Sequence, residues 1–208
     1  MISAKEALER LREGNARFVS IKRNSDALTS ESRRRKVATG QEPFAVILGC
    51  SDSRVPAEIV FDQGLGDLFV IRVAGNIVAP SQIGSVEFAV DRFGTPLVVV
   101  LGHSNCGAIT ATIEELRLRT EERSRNLRSI VDRVRPSVSA IMDANPSMSL
   151  EDLVQQSVRA NIRMSVNQLR HGSEILEQVI QSQKVMVVGA EYSLDTGVVD
   201  FFDDGTNS

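Results

Sequence analysis

The sequence predicts an α/β protein. Its expected centre is a mainly parallel sheet of about four strands plus an edge strand, with helices on both faces. Three observations carry this. The apolar runs Phe44-Ala45-Val46-Ile47-Leu48, Leu97-Val98-Val99-Val100-Leu101 and Val185-Met186-Val187-Val188 show no alternation, which is the pattern of strands buried on both sides. Stretches with helical spacing and end signals separate them, as in sheets wrapped by helices. Two of the runs break off in Gly49-Cys50-Ser51-Asp52-Ser53-Arg54 and Gly102-His103-Ser104-Asn105-Cys106-Gly107, and open α/β sheets place ligands at the C-terminal ends of their strands.

Taken in order, Ser3-Ala4-Lys5-Glu6 fits a capping box and opens a helix whose apolar stripe is only Leu8, Leu11 and Phe18. Such a sparse face docks on another surface, either a second subunit or this chain's own core. Arg33-Arg34-Arg35-Lys36 falls in a helix opened by Thr29 or Ser30 and closed by Gly40. Pro56 marks the start of a short helix, and residues 67–76 read as a strand and tight turn. Gly84 to Phe93 is a buried helix stopped at Gly94. Helical patterns cover Ile109 to Leu118 and Leu127 to Val134, with Pro136 and Asn145-Pro146 as breaks. Ser149 caps a long helix with Val154, Val158, Ile162, Val166 and Leu169 as its core face, ending at Gly172. Ser173 opens the next helix, and Val198 to Phe202 is expected as the edge strand. A single domain over residues 1–208 is expected, with a helical arm at 1–40 and an α/β core at 41–208, because no linker-like tract divides the chain.

Bulk properties narrow the function. The formal charge of −3 and the absence of aromatics among the four clustered basic residues give no nucleic-acid signature. No stretch approaches the roughly 20 apolar residues of a membrane helix, and the N-terminus reads as an amphipathic helix, so a cytoplasmic location is expected. In a reducing compartment, two cysteines at loop ends near a histidine point to metal binding or catalysis before a disulfide.

Cys50, Asp52, His103 and Cys106 are the candidate metal ligands. Two thiolates, an imidazole and a carboxylate can fill a tetrahedron, and this soft donor set favours Zn2+. Asp52 decides the character of the site. Bound permanently, it closes a structural tetrahedron; paired with Arg54 two residues on, it leaves a fourth position open.

These residues resemble the β-class carbonic anhydrases. Cys50-Ser51-Asp52-Ser53-Arg54 with His103-Ser104-Asn105-Cys106-Gly107 looks like their paired signature. The likeness extends through Gly14-Asn15-Ala16-Arg17-Phe18, Gln41-x-Pro43, Gly66-Asp67-Leu68-Phe69-Val70-x-Arg72, Ala74-Gly75-Asn76 and Glu87-x-Ala89-Val90. The resemblance implies one zinc per chain on Cys50, His103 and Cys106. It implies Asp52 and Arg54 as the catalytic dyad, and hydration of carbon dioxide to bicarbonate by a zinc-bound hydroxide. It further implies Gln41, Phe69, Phe88 and Gly107 as substrate-binding residues. The expected assembly is a homodimer or homotetramer, with the pocket at the dimer interface and the N-terminal helix reaching over the partner. At neutral to alkaline pH, Asp52 is expected on Arg54. Some bacterial members carry a noncatalytic bicarbonate pocket built from Trp, Arg and Tyr. Here those positions are Ile47, Arg72 and Tyr192, so the Trp is missing.

Carbonyl sulfide or carbon disulfide hydrolysis with the same metal set is the alternative chemistry, and a zinc-stabilised interaction protein is the non-enzymatic one. A nucleotide-binding module lacks its glycine motifs here, and a thiol oxidoreductase lacks Cys-x-x-Cys. His171, the only histidine besides His103, reads as a surface residue.

Overall fold

The computed structural model describes residues 2–22, 28–118 and 124–202. Its elements are α1 (Ala4–Val19), α2 (Glu31–Val37), β1 (Ala45–Gly49), α3 (Ala57–Val60), β2 (Leu68–Arg72), a 3-10 turn (Ala74–Asn76), α4 (Pro80–Phe93) and β3 (Leu97–His103). These are followed by α5 (Gly107–Leu118), α6 (Arg125–Ala144), α7 (Leu150–His171), α8 (Glu174–Gln181), β4 (Met186–Tyr192) and β5 (Val199–Phe202). The sheet order is β2-β1-β3-β4-β5. The first four strands are parallel, and β5 pairs antiparallel with β4 at the edge.

The unbroken apolar runs are explained by two cores, one on each face of the sheet. Val46, Leu48, Val98 and Val100 point to the face covered by α4 to α8. Ala45, Ile47, Leu97, Val99 and Leu101 point to the face covered by α1 and α3. Each inward residue is fully buried, and each large aliphatic one contributes roughly 1.5–3 kcal/mol relative to exposure.

Caps appear where the sequence placed them. Ser3 and Glu6 form the capping box of α1, and Ser30, Ser149 and Ser173 accept backbone hydrogen bonds at the starts of α2, α7 and α8. Two expectations are corrected. The fourth helix begins at Pro80 and not at Gly84, because proline in the first helical turn loses no intrahelical bond. Pro136 lies inside α6 without ending it. Val131, Val134 and Val138 are buried on either side, so packing outweighs the roughly 3 kcal/mol that an interior proline costs.

The stripe of α1 is spent within the chain. Ala7, Leu8 and Leu11 are buried against the chain's own sheet, so a second subunit is not needed to cover them. Asn15 staples the helix by donating to the carbonyls of Val60 and Gly197 and accepting from Val199 N–H. Arg17 pairs with buried Asp62 at 2.6 Å. Gly14 permits the close approach: a Cβ there would lie 1.8 Å from the carbonyl oxygen of Phe61. Gly14→Ala is therefore expected to lower stability by about 2–3 kcal/mol, the upper part of the usual range for overpacking, measured by urea unfolding. An unchanged midpoint would mean that α1 is not seated as described.

Among the described residues, no helix is long and apolar enough to cross a membrane.

Candidate metal centre

Cys50 follows β1 directly, His103 ends β3, and Cys106 precedes α5. Register sets them side by side, because Gly49 pairs with Leu101 and brings the two strand ends level. Between the last two donors the chain reverses through Asn105, whose φ is +53°. The donor atoms of Cys50, His103 and Cys106 lie within 4.8 Å of one another, and all three residues are buried. Bonds of about 2.0–2.3 Å to one tetrahedral ion would set such atoms roughly 3.5–3.8 Å apart, so small side-chain rotations suffice.

The protonation pattern fits a soft dication. His103 Nδ1 lies 2.9 Å from the Ser104 carbonyl oxygen, which can only accept, so Nδ1 carries the proton and Nε2 presents a lone pair. Among the described residues Nε2 is buried without a hydrogen bond of ordinary geometry, and burial, outweighed by the Cys50 sulfur and the Asp52 carboxylate beside it, leaves the His103 pKa raised. A buried nitrogen so placed costs about 1–3 kcal/mol unless something binds there. The two thiols lie within hydrogen-bond reach of each other, which drives their acidities apart. A hydrogen bond from Cys106, opposed by burial, pulls the Cys50 thiol down to about 4. The same bond, burial and the charge on Cys50 push Cys106 far up. A cation between the sulfurs removes that obstacle to the second deprotonation.

Asp52 stands beside these donors and is held by Arg54. Its Oδ1 accepts from Arg54 N–H at 3.0 Å and Nε–H at 2.9 Å, and its Oδ2 accepts from Nη2 at 2.7 Å. That Oδ2 is also 3.8 Å from His103 Nε2. The Arg54 hydrogen bonds, opposed by burial, hold the Asp52 carboxyl well below the usual carboxylate range. Arg72 straps the same loop, donating to the carbonyls of Cys50 at 3.1 Å and Asp52 at 2.6 Å.

The other expected site residues divide. Gly107 is adjacent, as the first residue of α5. Gln41, Phe69 and Phe88 are not brought to the donors of their own chain. Gln41 precedes β1 while Cys50 follows it, a separation of roughly 16 Å along the strand. Phe69 is level with Val46, near the start of β1. Phe69, Phe88 and Phe93 form an aromatic trio with centroids 5.6–6.2 Å apart, and Gln41 lines a cleft with Phe93 and Arg92. These residues gather at the opposite end of the sheet because β1 starts at that end and finishes at the donors. Ile47 is fully buried in the core, where the missing Trp would have stood.

Near the centre, Gly75 is named from sequence only as part of the family likeness, and Asn161 and Ser165 are not named at all. Gly75 N–H donates to Cys50 Sγ at 3.4 Å, and Asn161 and Ser165 of α7 bond to the turn that carries it. Their signal is a polar series at Ser157, Asn161 and Ser165 inside the apolar stripe of a helix.

Comparisons with known proteins identify the family and the fold. Residues 45–199 match the family model described as carbonic anhydrase. Carbonic anhydrase 2 of Mycobacterium tuberculosis is 40% identical over 191 residues, covering 92% of this chain and 89% of the relative. Among solved structures, the β-carbonic anhydrase CcaA superposes with a TM-score of 0.76 at 24% identity, covering 97% of each chain. A structure described among two tetrameric β-carbonic anhydrases of Sordaria macrospora gives 0.72 at 22% identity, over 81% of this chain and 84% of its own. The fold, the matched span and the identity to a named relative together place this chain in the β-class of the carbonic anhydrase family.

Proposed function

We propose that the chain catalyses the reversible hydration of carbon dioxide to bicarbonate and a proton, with Zn2+ held by Cys50, His103 and Cys106. The observation that carries this is the buried trio of donor atoms within 4.8 Å, one of them an imidazole nitrogen that makes no hydrogen bond of ordinary geometry among the described residues. Zinc so held would supply a Lewis acid able to bring the pKa of water from roughly 15.7 to about 7.

The rest of the chemistry belongs to the chain. Asp52, ionised and clamped by Arg54, accepts a hydrogen bond from the attacking oxygen and turns a lone pair of that oxygen toward the carbon of CO2. By staying on Arg54 it keeps one position near the donors free. Arg72 fixes the backbone on which Asp52 rides. The water-derived proton leaves the site as bicarbonate forms, which balances the reaction. Gly107 lies beside Cys106 and bounds the space over the donors.

Gln41, Phe69 and Phe88 enter this reading as residues offered to a second copy of the chain. Phe88 is about half exposed, and the aromatic trio stands at the far end of the sheet from its own donors. A homodimer or homotetramer would let one copy's aromatic end meet another's metal end, and a fold relative is described as tetrameric. The chain is read as one domain, residues 1–208, with 1–40 as a helical arm whose α1 packs on the 41–208 core. The buried Leu8 and Leu11 support this.

Stopped-flow CO2 hydration across pH, on protein with its zinc quantified, tests the proposal. The expected result is zinc near one per chain with activity rising toward alkaline pH. Full zinc with no CO2 turnover at any pH would overturn it, and turnover of carbonyl sulfide or carbon disulfide would then identify the alternative chemistry.

A further inference from the structure

The turn Ala74–Asn76 touches the metal centre at one atom. Gly75 N–H donates to Cys50 Sγ at 3.4 Å. The turn is held from behind by α7, with Asn161 Nδ2 donating to the Gly75 carbonyl at 2.8 Å and Ser165 Oγ donating to the Asn76 carbonyl at 3.0 Å.

The backbone of this turn is not one the chain adopts by default. Gly75 has φ +71° and Asn76 φ +43°, and a Cβ on Gly75 would lie 3.1 Å from the Cβ of Ala108. Left-handed residues in succession are unfavourable without outside support. A turn this short also leaves its carbonyls without helical partners. Asn161 and Ser165 supply partners, and both are only 2% exposed. Around them α7 buries Leu153, Val154, Val158, Ile162, Val166 and Leu169. Packing alone would be served as well by aliphatic side chains there, since a buried polar group without a partner costs free energy.

We propose that Asn161 and Ser165 are positioning residues of the metal centre, holding the Gly75–Asn76 turn so that the Gly75 N–H stays aimed at the Cys50 sulfur. This rests on the reading of Cys50 as a metal ligand. Two thiolates donate more charge to an ion than imidazoles do and oppose its acidification of water. An N–H donated to one sulfur draws part of that charge back, and such outer hydrogen bonds tune a metal through its ligands.

The test uses the full chain loaded with cobalt(II), whose thiolate charge-transfer absorption reports directly on the sulfurs. Asn161→Ala and Ser165→Ala are expected to move that band to longer wavelength, because a sulfur that loses a hydrogen bond gives up an electron more readily. Both variants should also release the ion to a chelator about tenfold more readily. Ser157→Ala is the control. Ser157 lies on the same buried series but its hydroxyl has no hydrogen-bond partner, so the band should stay in place even if stability changes. Ser165→Ala removes a single oxygen and decides the matter alone if Asn161→Ala fails to fold. A wild-type thiolate band that is unmoved in Ser165→Ala would overturn the positioning role. Absence of any thiolate band in the wild-type cobalt form would instead overturn the metal reading beneath it.

Discussion

Replacing Cys106 with Ser is expected to abolish both zinc retention and CO2 hydration, with zinc falling from about one per chain to near zero and the rate by roughly 10³-fold or more. Cys106 is 1% exposed, so its thiolate is not replaced by water without opening the core around Ile109. Serine is nearly the same size, and its hydroxyl does not ionise near neutrality. The variant thus removes a charged donor while leaving the packing intact. Metal analysis with stopped-flow assay checks the prediction. A folded Cys106→Ser protein that keeps full zinc and activity would remove this residue from the metal set. Chelator treatment of the wild type should give the same inactive state, and added zinc should reverse it.

Arg54→Gln is expected to produce a different failure, with zinc retained and activity reduced roughly 10–100-fold, the usual effect of losing a partner that orients a group at a metal. Two side-chain hydrogen bonds from the Arg54 guanidinium hold Asp52 beside the one from its backbone N–H, and the Asp52 Oδ2 already lies 3.8 Å from His103 Nε2. Without the fork, that carboxylate would be free to turn toward an ion held by Cys50, His103 and Cys106 and would then occupy the position the substrate water needs. Arg54→Lys should recover only part of the loss, because an ammonium supplies charge without the two-pronged geometry. Zinc content and kcat/KM, measured together, separate this outcome from simple metal loss.

The sign of the pH effect follows from the same contacts. The fork depresses the Asp52 pKa, so Asp52 is ionised everywhere above the ordinary carboxylate value of about 4. Whatever stability the dyad contributes is present above that value and is lost only as pH falls through the depressed one. Between about pH 6 and 9 the Asp52 charge does not change. Activity that rises in this window therefore reports another group, and Arg54→Gln should keep the shape of the profile while lowering its height.

Much of this was legible in the chain. Runs such as Leu97 to Leu101 lack alternation because both faces of the sheet are covered, and that cause acts residue by residue. The thiols, imidazole and carboxylate at the strand ends declare their donor chemistry by type alone. Serines at helix starts act on amides three residues away, so Ser3, Ser30, Ser149 and Ser173 could be read locally. Pro136 misled, because a local penalty was set against distant packing.

Tertiary structure decided the rest. Leu8 and Leu11 show that α1 needs a surface to lie on, but not whose, and their burial against the chain's own sheet depends on Gly14 meeting a carbonyl 47 positions away at Phe61. Gln41 and Cys50 are near neighbours in sequence, yet a straight strand sets them at opposite ends of the sheet. Asn161 and Ser165 reach the turn beside Cys50 across 86 and 89 positions, and no periodicity says which carbonyl a buried amide will meet. The sequence by itself determined which residue types and which strand ends carry the chemistry, because those properties are intrinsic or local. Only the folded chain decided their mutual aim, because direction in a packed core is set by contacts between segments far apart in sequence.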